Sequence, residues 1–149
     1  MARIPRCAFP DGSFHVGARG VAQMPIYRDD EDRLAFLRLL AVATARFEWT
    51  CHAFCLMSNH YHLVLDATRQ GLSDGLQILN GFYAQSFNGK YRRWGHVFGD
   101  RFWSRSLQEE DLERTCLYVM ANPVRAGLCE RITDWPWSGR RPCSSHRSP

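Results

Sequence analysis

The stretch from Trp49 to Asp66 limits the possible fold more than any other part of the chain. Apolar and strand-forming residues fill it on both sides of Ser58-Asn59, a dipeptide typical of tight turns. The pattern predicts two strands, one from Trp49 to Met57 and one from His60 to Asp66, that pair as a hairpin. A hairpin this apolar belongs in the core of a sheet.

Two histidines, His60 and His62, lie just after the predicted turn. Alternate side chains of a strand point to the same face, so the two imidazoles project together and Tyr61 points the opposite way. Two neutral imidazoles side by side make half of a divalent-metal site. The alternative is a pair of half-exposed strand histidines, which is the commoner meaning of an isolated His-x-His.

The composition predicts one globular domain. A chain of 149 residues with 45% hydrophobic residues can bury a substantial core, and no apolar run reaches the length of a membrane span. We predict a domain over residues 1–138 and a disordered polar tail over residues 139–149. The N-terminus lacks the apolar stretch of a secretion signal, so we expect a cytoplasmic protein with reduced cysteines. Cys51 and Cys55, expected on one strand face, are interpreted as small buried residues.

The net charge of +4 favours an anionic partner only mildly, but its distribution is more informative. An acidic run, Asp29-Asp-Glu-Asp32, lies near the N-terminus, whereas basic and aromatic side chains are interleaved between residues 90 and 105. They are Lys90, Arg92, Arg93, Arg101 and Arg105, with Trp94, Phe98, Phe102 and Trp103 among them. Basic side chains pair with phosphates, and aromatic rings stack on nucleobases. The combination is typical of a surface that binds single-stranded or distorted nucleic acid. The alternative is a solvated helix end beside a buried aromatic cluster.

The remaining elements follow from periodicity and punctuation. The predicted elements are a strand over Phe14–Val21, a helix over Glu31–Phe47, a helix over Leu72–Tyr91, a short strand within Gly95–Arg105 and a helix from Glu109 or Glu110 to Ala121. Asp29 and Asp30 are expected to supply the N-cap of the first helix and acids favoured by its dipole. Pro123 should stop the last helix near Asn122. The order β-α-β-β-α-β-α predicts an α+β fold, an antiparallel sheet with helices packed on one face.

Tyr118 and Asn122 lie four residues apart, and hence on one face of the last predicted helix. If that face covers His60 and His62, the Asn122 amide oxygen would complete a ligand set for Mg²⁺ or Mn²⁺. The Tyr118 hydroxyl would then lie beside a polarised phosphodiester as a nucleophile. The alternatives are an ordinary packing tyrosine and an asparagine chosen for local hydrogen bonds at a helix end.

The joint order of motifs resembles the REP-associated tyrosine transposases, bacterial relatives of the small single-tyrosine HUH transposases. The resemblance extends from about Arg3 to Ser138. It is carried by Phe14-His-Val-Gly-Ala-Arg-Gly20, Ile26-Tyr-Arg-Asp-Asp30, Cys51-His-Ala-Phe-Cys-Leu-Met-Ser-Asn-His-Tyr-His-Leu63, Gly95-His-Val-Phe98 with Arg101-Phe102, Tyr118-Val-Met-Ala-Asn-Pro-Val-Arg-Ala-Gly127 and Asp134-Trp-Pro-Trp-Ser138.

The resemblance implies a ferredoxin-like sheet with both histidines on a central strand and the tyrosine on a C-terminal helix. It implies that His60, His62 and Asn122 hold a divalent metal and that Tyr118 attacks single-stranded hairpin DNA. The attack leaves a 5′-phosphotyrosine and a free 3′-OH, so strands can be rejoined without ATP.

The resemblance also bears on DNA contacts and assembly. Arg125 and the segment Gly95–Arg105 are expected to contact the DNA, and the protein is expected to act as a monomer. Asp100 departs from the family pattern, in which a small or neutral residue is common at this position. A carboxylate beside Arg101 would oppose a phosphate and weaken local DNA binding.

Two other functions compete with the transposase. One is a DNA-binding regulator of repeated elements that keeps the fold without turnover, although pure binding needs no nucleophile beside a metal. The other is a metal-free phosphodiesterase using histidines as acid and base, which normally needs two separated histidine motifs. Of the other tyrosines, Tyr83 is expected to pack, and Tyr91 to contact DNA.

Overall fold

The computed structural model describes residues 10–140, which contain a five-stranded antiparallel sheet and four α-helices. The strands are β1 (Gly12–Arg19), β2 (Thr50–Leu56), β3 (His60–Ala67), β4 (Trp103–Leu107) and β5 (Ser138–Gly139). The helices are α1 (Asp30–Arg46), α2 (Arg69–Tyr91), α3 (Leu112–Met120) and α4 (Asn122–Arg125).

The strand order across the sheet is β4-β1-β3-β2-β5. The succession β1-α1-β2-β3-α2-β4 with β3 between β1 and β2 is the ferredoxin-like arrangement. The predicted α+β class and antiparallel sheet are therefore confirmed. The histidine strand β3 lies in the middle, hydrogen-bonded to a neighbour on each side.

The two long helices begin at side-chain caps. Asp29 accepts a hydrogen bond from the Asp32 amide (2.8 Å) and starts α1, as predicted. Thr68 accepts one from the Gly71 amide (2.9 Å), so α2 starts at Arg69, earlier than the predicted Leu72. Sequence periodicity missed this start because the first turn carries few apolar residues.

Helix α2 ends where its backbone turns left-handed. Arg92 has a φ of 51° and closes the helix, which runs uninterrupted through Gly81 and Gly89. The predicted end at Tyr91 is confirmed. The next strand, β4, begins at Trp103, late in the predicted segment Gly95–Arg105, and ends at Leu107, two residues beyond it.

A bulge in β2 changes the faces of its side chains. The pairing with β3 shifts between Cys51 and Ala53. Cys51 therefore joins the larger core while Cys55 joins the core on the opposite face. The prediction that the two cysteines share a face was wrong, because alternation fails across the bulge. Both side chains are buried.

The sheet separates two hydrophobic cores. Tyr61, Leu63 and Leu65 face the larger core, which α1 and α2 cover. Val64 faces a smaller core against Cys116 and other residues of α3. The two long helices thus share one face, whereas α3 covers the other and does not join them. Both faces of β3 carry apolar residues, so both need cover.

The C-terminal elements are divided by Pro123. Helix α3 ends at Met120, and Pro123 lies in the first turn of α4. Backbone N–H groups in a first turn have no partner within the helix, so a proline there removes no hydrogen bond. The predicted stop near Asn122 is confirmed. Gly139 pairs in β5 and Arg140 donates to Glu113, so these two residues, which the prediction placed in the tail, contact the folded domain. The rest of the predicted tail, residues 141–149, lies outside the described residues, as do residues 1–9.

None of the helices within residues 10–140 is both long and apolar enough to cross a bilayer.

Two glycines of α2 should respond oppositely to alanine. At Gly75 an added Cβ would lie 2.2 Å from Trp49 Cζ2, so Gly75→Ala should lower the free energy of unfolding by roughly 1–3 kcal/mol. At Gly81 a Cβ meets nothing within 4 Å, so Gly81→Ala should raise it by about 0.5–1 kcal/mol. Urea unfolding followed by circular dichroism measures both changes. Equal effects of the two substitutions would contradict the packing of α2 on Trp49.

Candidate active site

Three histidines meet on the sheet face that α3 covers. His60 and His62 project together from β3, with ring centroids 5.0 Å apart, as alternation predicts. His15 comes from the neighbouring strand β1, and its Nε2 lies 3.0 Å from His62 Nδ1. Tyr61 points into the opposite core, also as predicted. Strand pairing thus adds a third imidazole to the predicted pair.

The hydrogen bonds of His60 fix its tautomer. Its Nδ1 lies 2.7 Å from Asn59 Oδ1, and the Asn59 amide nitrogen donates to the Gln23 carbonyl (3.3 Å). An amide oxygen only accepts, so His60 Nδ1 carries the proton and donates it. The lone pair of His60 is therefore on Nε2. In His62 the Nδ1 atom faces His15, so the Nε2 atom of His62 is the ring nitrogen outside this contact.

Burial keeps the three imidazoles neutral. It lowers the pKa of His15 to about 4, with the Arg105 charge adding to the effect. Burial and the charge of Arg19 lower the pKa of His60 to about 4. Burial is also the largest cause for His62, whose pKa falls to about 3. At neutral pH all three rings are uncharged and can offer lone pairs.

Trp103 encloses the histidines from the edge of the sheet. Its ring lies edge-on to His15, with centroids 4.8 Å apart, and 5.6 Å from that of His62. It packs over Gly17, where an added Cβ would come within 2.6 Å of the indole. Glycine is required at position 17 because the indole occupies the space of a side chain.

Tyr118 shares an open depression with two of these histidines. The depression measures about 550 Å³ and is lined by Tyr118, His62, His15 and Trp103 among others. Neither His60 nor Asn122 is part of its lining. The Tyr118 side chain is 53% exposed, and the Arg125 guanidinium lies 3.7 Å from the ring centroid. A cation this close holds the ring and brings positive charge beside the phenol.

Asn122 is the first residue of α4, one turn after Tyr118. Its amide nitrogen donates to the Val119 carbonyl (3.3 Å), a contact typical of a helix end. This bond leaves the Oδ1 oxygen as the atom with which Asn122 can accept or coordinate. Its role as a metal ligand stays a prediction.

Within residues 10–140, no three His, Cys, Asp or Glu side chains are grouped so as to hold a metal ion. A cation held by His60 and His62 would therefore need oxygen from an amide, a hydroxyl, water or a bound substrate.

The other four tyrosines have structural contacts. Tyr83 is buried and donates to the Ile26 carbonyl, and Tyr61 is buried and donates to Asn80 (2.6 Å). Burial raises the pKa of both phenols. Tyr27 is also buried, and burial raises its pKa as well.

Tyr91 is half-buried and donates to Asp32 (2.6 Å), a bond within the fold where the sequence suggested DNA.

The predicted DNA contacts separate into two groups. Arg105 lines the depression, Arg125 covers Tyr118, and Arg101 is exposed near Trp103. Lys90 and Arg93 instead bind within the fold near the end of α2.

Lys90 lies 3.0 Å from Asp29 and 2.9 Å from Asp32, so the acidic run neutralises it. Arg93 donates to Asn88 (2.7 Å). Arg92 is exposed and closes α2 with its left-handed backbone.

Sequence reasoning missed four residues at this site. They are His15, Arg19, Arg114 and Thr115. His15 and Arg19 could have been found from alternation along β1 only with its register against β3, which a single sequence does not supply. Arg114 and Thr115 precede Tyr118 by about one helical turn, so helical spacing could have indicated them.

These observations define a class, a ferredoxin-like α+β protein that presents paired strand histidines beside an exposed helix-borne tyrosine. The chain belongs to the family described as Transposase IS200 like, whose profile matches residues 18–122. The resemblance to the REP-associated tyrosine transposases is confirmed.

A Haemophilus influenzae protein named as a candidate REP-associated tyrosine transposase is 29% identical over 99 residues. The match covers 58% of this chain and 56% of that protein, so the chain spans about half the length of this relative.

Two solved structures share the fold. One is a REP-associated tyrosine transposase bound to a REP hairpin, with a TM-score of 0.64 and 16% identity; the match covers 93% of this chain and 81% of that one. The other is a candidate transposase from Deinococcus radiodurans R1, with a TM-score of 0.52 and 16% identity over 80% of this chain and 92% of that one. At this identity they establish the architecture alone.

Exposure predicts which tyrosine reacts first with a phenol-acylating reagent. N-acetylimidazole should acylate Tyr118 well before the other tyrosines, because they are buried or hydrogen-bonded within the fold. Peptide mass mapping over a time course measures the order, and Tyr118→Phe should remove the fast phase. Faster acylation of Tyr91 would contradict this arrangement.

Proposed function

We propose that this protein cleaves and rejoins single-stranded hairpin DNA through a covalent bond to Tyr118. The observation that carries the proposal is the position of Tyr118, exposed in one depression with His62. Membership of a transposase family supports the DNA chemistry. The proposal extends to this chain the hairpin binding named for a structural neighbour.

The reaction exchanges one phosphodiester for another. The Tyr118 oxygen attacks the phosphorus, so the O–P bond to tyrosine forms as the bond to the 3′ oxygen breaks. The proton of the phenol goes, in net terms, to the released 3′ oxygen. Because the new bond is again a phosphodiester, the free 3′-OH can reverse the step and rejoin a strand without ATP.

The histidines fit a divalent cation, and this cofactor is part of the proposal. His60 Nδ1 is occupied by Asn59 and His62 Nδ1 by His15, so each ring can offer Nε2. Asn122 Oδ1 is the proposed third ligand. Bound Mg²⁺ or Mn²⁺ would act as a Lewis acid on the phosphodiester.

Nearby arginines would bind the phosphates on either side of the scissile bond. Arg125 lies over the Tyr118 ring and Arg105 lines the same depression. A guanidinium fork matches phosphate geometry and stays charged at all relevant pH values. Among the basic residues near the site, these two arginines are therefore the preferred DNA contacts. A cytoplasmic location and a monomer acting in cis complete the proposal.

A covalent-adduct assay tests the nucleophile. Protein mixed with labelled single-stranded hairpin DNA from repeats that flank its gene should give a band that survives denaturant. The band should require Mg²⁺ or Mn²⁺ and disappear in Tyr118→Phe, because phenylalanine has no attacking oxygen. Tyr91→Phe is the matched control and should keep the adduct. Hairpin binding without any adduct would favour a regulator that binds DNA without turnover, and an adduct in Tyr118→Phe would reject Tyr118.

The contact between His15 and His62 predicts a role in metal binding. If His62 binds through Nε2, its Nδ1 must carry a proton, which His15 Nε2 accepts. His15→Leu should weaken Mn²⁺ binding by about 10–100-fold, whereas His15→Gln should retain most of it through its amide oxygen. Electron paramagnetic resonance of free Mn²⁺ measures the affinity.

His52→Gln serves as the control, because His52 contacts Asp66 (2.9 Å) and not the three site histidines. Thermal unfolding of each variant separates lost metal binding from lost folding. Equal Mn²⁺ affinity in His15→Leu and the wild type would show that His15 does not orient His62.

A further inference from the structure

Three neighbouring surface depressions share lining residues and form a series that leads away from Tyr118. Trp103 lines the depression of Tyr118 and also a second one of about 320 Å³ that includes Arg19. Gly99, Asp100 and Arg101 line this second depression and also a third. The series therefore extends from the α3 side of the sheet along the segment that precedes β4.

The third depression, here called the α2 pocket, lies between helix α2 and residues 95–102. Its volume is about 620 Å³, within the range of roughly 300–1,000 Å³ typical of small-molecule sites. It lies on the α2 side of the sheet, because Asn80 in its lining contacts Tyr61 of the larger core. The site of Tyr118 lies on the opposite side.

The walls of the α2 pocket combine aromatic rings with amide groups. Phe98 and Phe102 are half-buried, and Phe98 is fixed edge-on to Tyr61 with centroids 6.2 Å apart. Gln77 and Asn80 extend into the lining from α2. Aromatic faces stack on nucleobases, and amides can hydrogen-bond their edges.

Asn80 is held in one orientation. Its Oδ1 accepts the Tyr61 hydroxyl (2.6 Å), so its NH₂ group is the end available to a ligand. The pocket thus offers fixed donors to an acceptor on a base edge. Arg101 stands where this pocket meets the second depression, where a guanidinium can bind the phosphate of the same nucleotide.

We infer that the α2 pocket binds an unpaired nucleobase of the single-stranded DNA whose backbone reaches Tyr118. The base stacks against Phe98 and Phe102, Asn80 donates to its edge, and Arg101 contacts its phosphate. The inference rests on the proposed function, because it needs single-stranded DNA at Tyr118. It adds a second recognition site, on the other side of the sheet from the nucleophile.

Gly81 allows a sharp test. It lines the pocket from α2, and a Cβ built on it meets nothing within 4 Å. Gly81→Leu therefore has room for its Cβ and places an apolar side chain at the pocket wall without adding a ring that could itself stack. Gly89→Leu is the matched control, because Gly89 lies in the same helix, is equally open and does not line the pocket.

The experiment compares two DNAs by fluorescence anisotropy with the full chain. One is a hairpin from the flanking repeats with a single-stranded extension at its foot, and the other is the same hairpin with blunt ends. Gly81→Leu should weaken binding of the extended hairpin roughly tenfold and leave binding of the blunt hairpin within about twofold. Gly89→Leu should match the wild type on both.

The outcomes separate this inference from the proposed function. Unchanged binding of the extended hairpin by Gly81→Leu would reject the pocket, even if the Tyr118 adduct forms. Equal wild-type affinity for both DNAs would reject it as well. No binding of either DNA by the wild type would reject both proposals.

A second measurement does not depend on folding of a variant. In the wild type, 4-thiothymidine placed in the extension should crosslink under ultraviolet light to residues 95–102 or to α2. Peptide mass spectrometry identifies the site, and crosslinks confined to other segments would overturn the inference.

Discussion

The central position of β3 is the constraint on which the rest of this structure depends. Each residue of β3 must suit one of two faces, because the strand is paired on both edges and covered on both sides. Tyr61, Leu63 and Leu65 fasten it to the two long helices. His60 and His62 take the alternate positions, on the side of the sheet where His62 lines the open depression of Tyr118. The rigidity that positions the imidazoles thus comes from the apolar residues between them.

Much of the fold could be predicted from local signals in the sequence. The hairpin, the Asp29 cap of α1 and the stop imposed by Pro123 each depend on a few neighbouring residues, and each prediction was confirmed. The bulge in β2 could not be predicted, since it reflects the fit between two strands. The register of β1 against β3 was also hidden, and with it the contact between His15 and His62.

Charge was harder to interpret than periodicity. The acidic run near Asp29 and the basic run near Lys90 are far apart in sequence, and the fold joins them in an ion-pair cluster at the end of α2. Two of the basic residues predicted to contact DNA, Lys90 and Arg93, therefore have partners within the protein. Other basic residues lie around the open depression beside Tyr118. They include Arg105 and Arg125. Composition indicates that the net charge is positive. Only the tertiary structure shows which basic side chains have partners within the protein and which lie around the open depression.

The separation of the two cores by the sheet has a consequence for how such genes change over generations. Tyr118 is about half exposed, and most of the apolar packing lies on the far side of the sheet under α1 and α2. A mutation that removes the phenol therefore leaves most of the folding energy intact. A gene copy that loses the phenol keeps a stable scaffold with its arginines and pockets in place, and selection can retain that scaffold for another use.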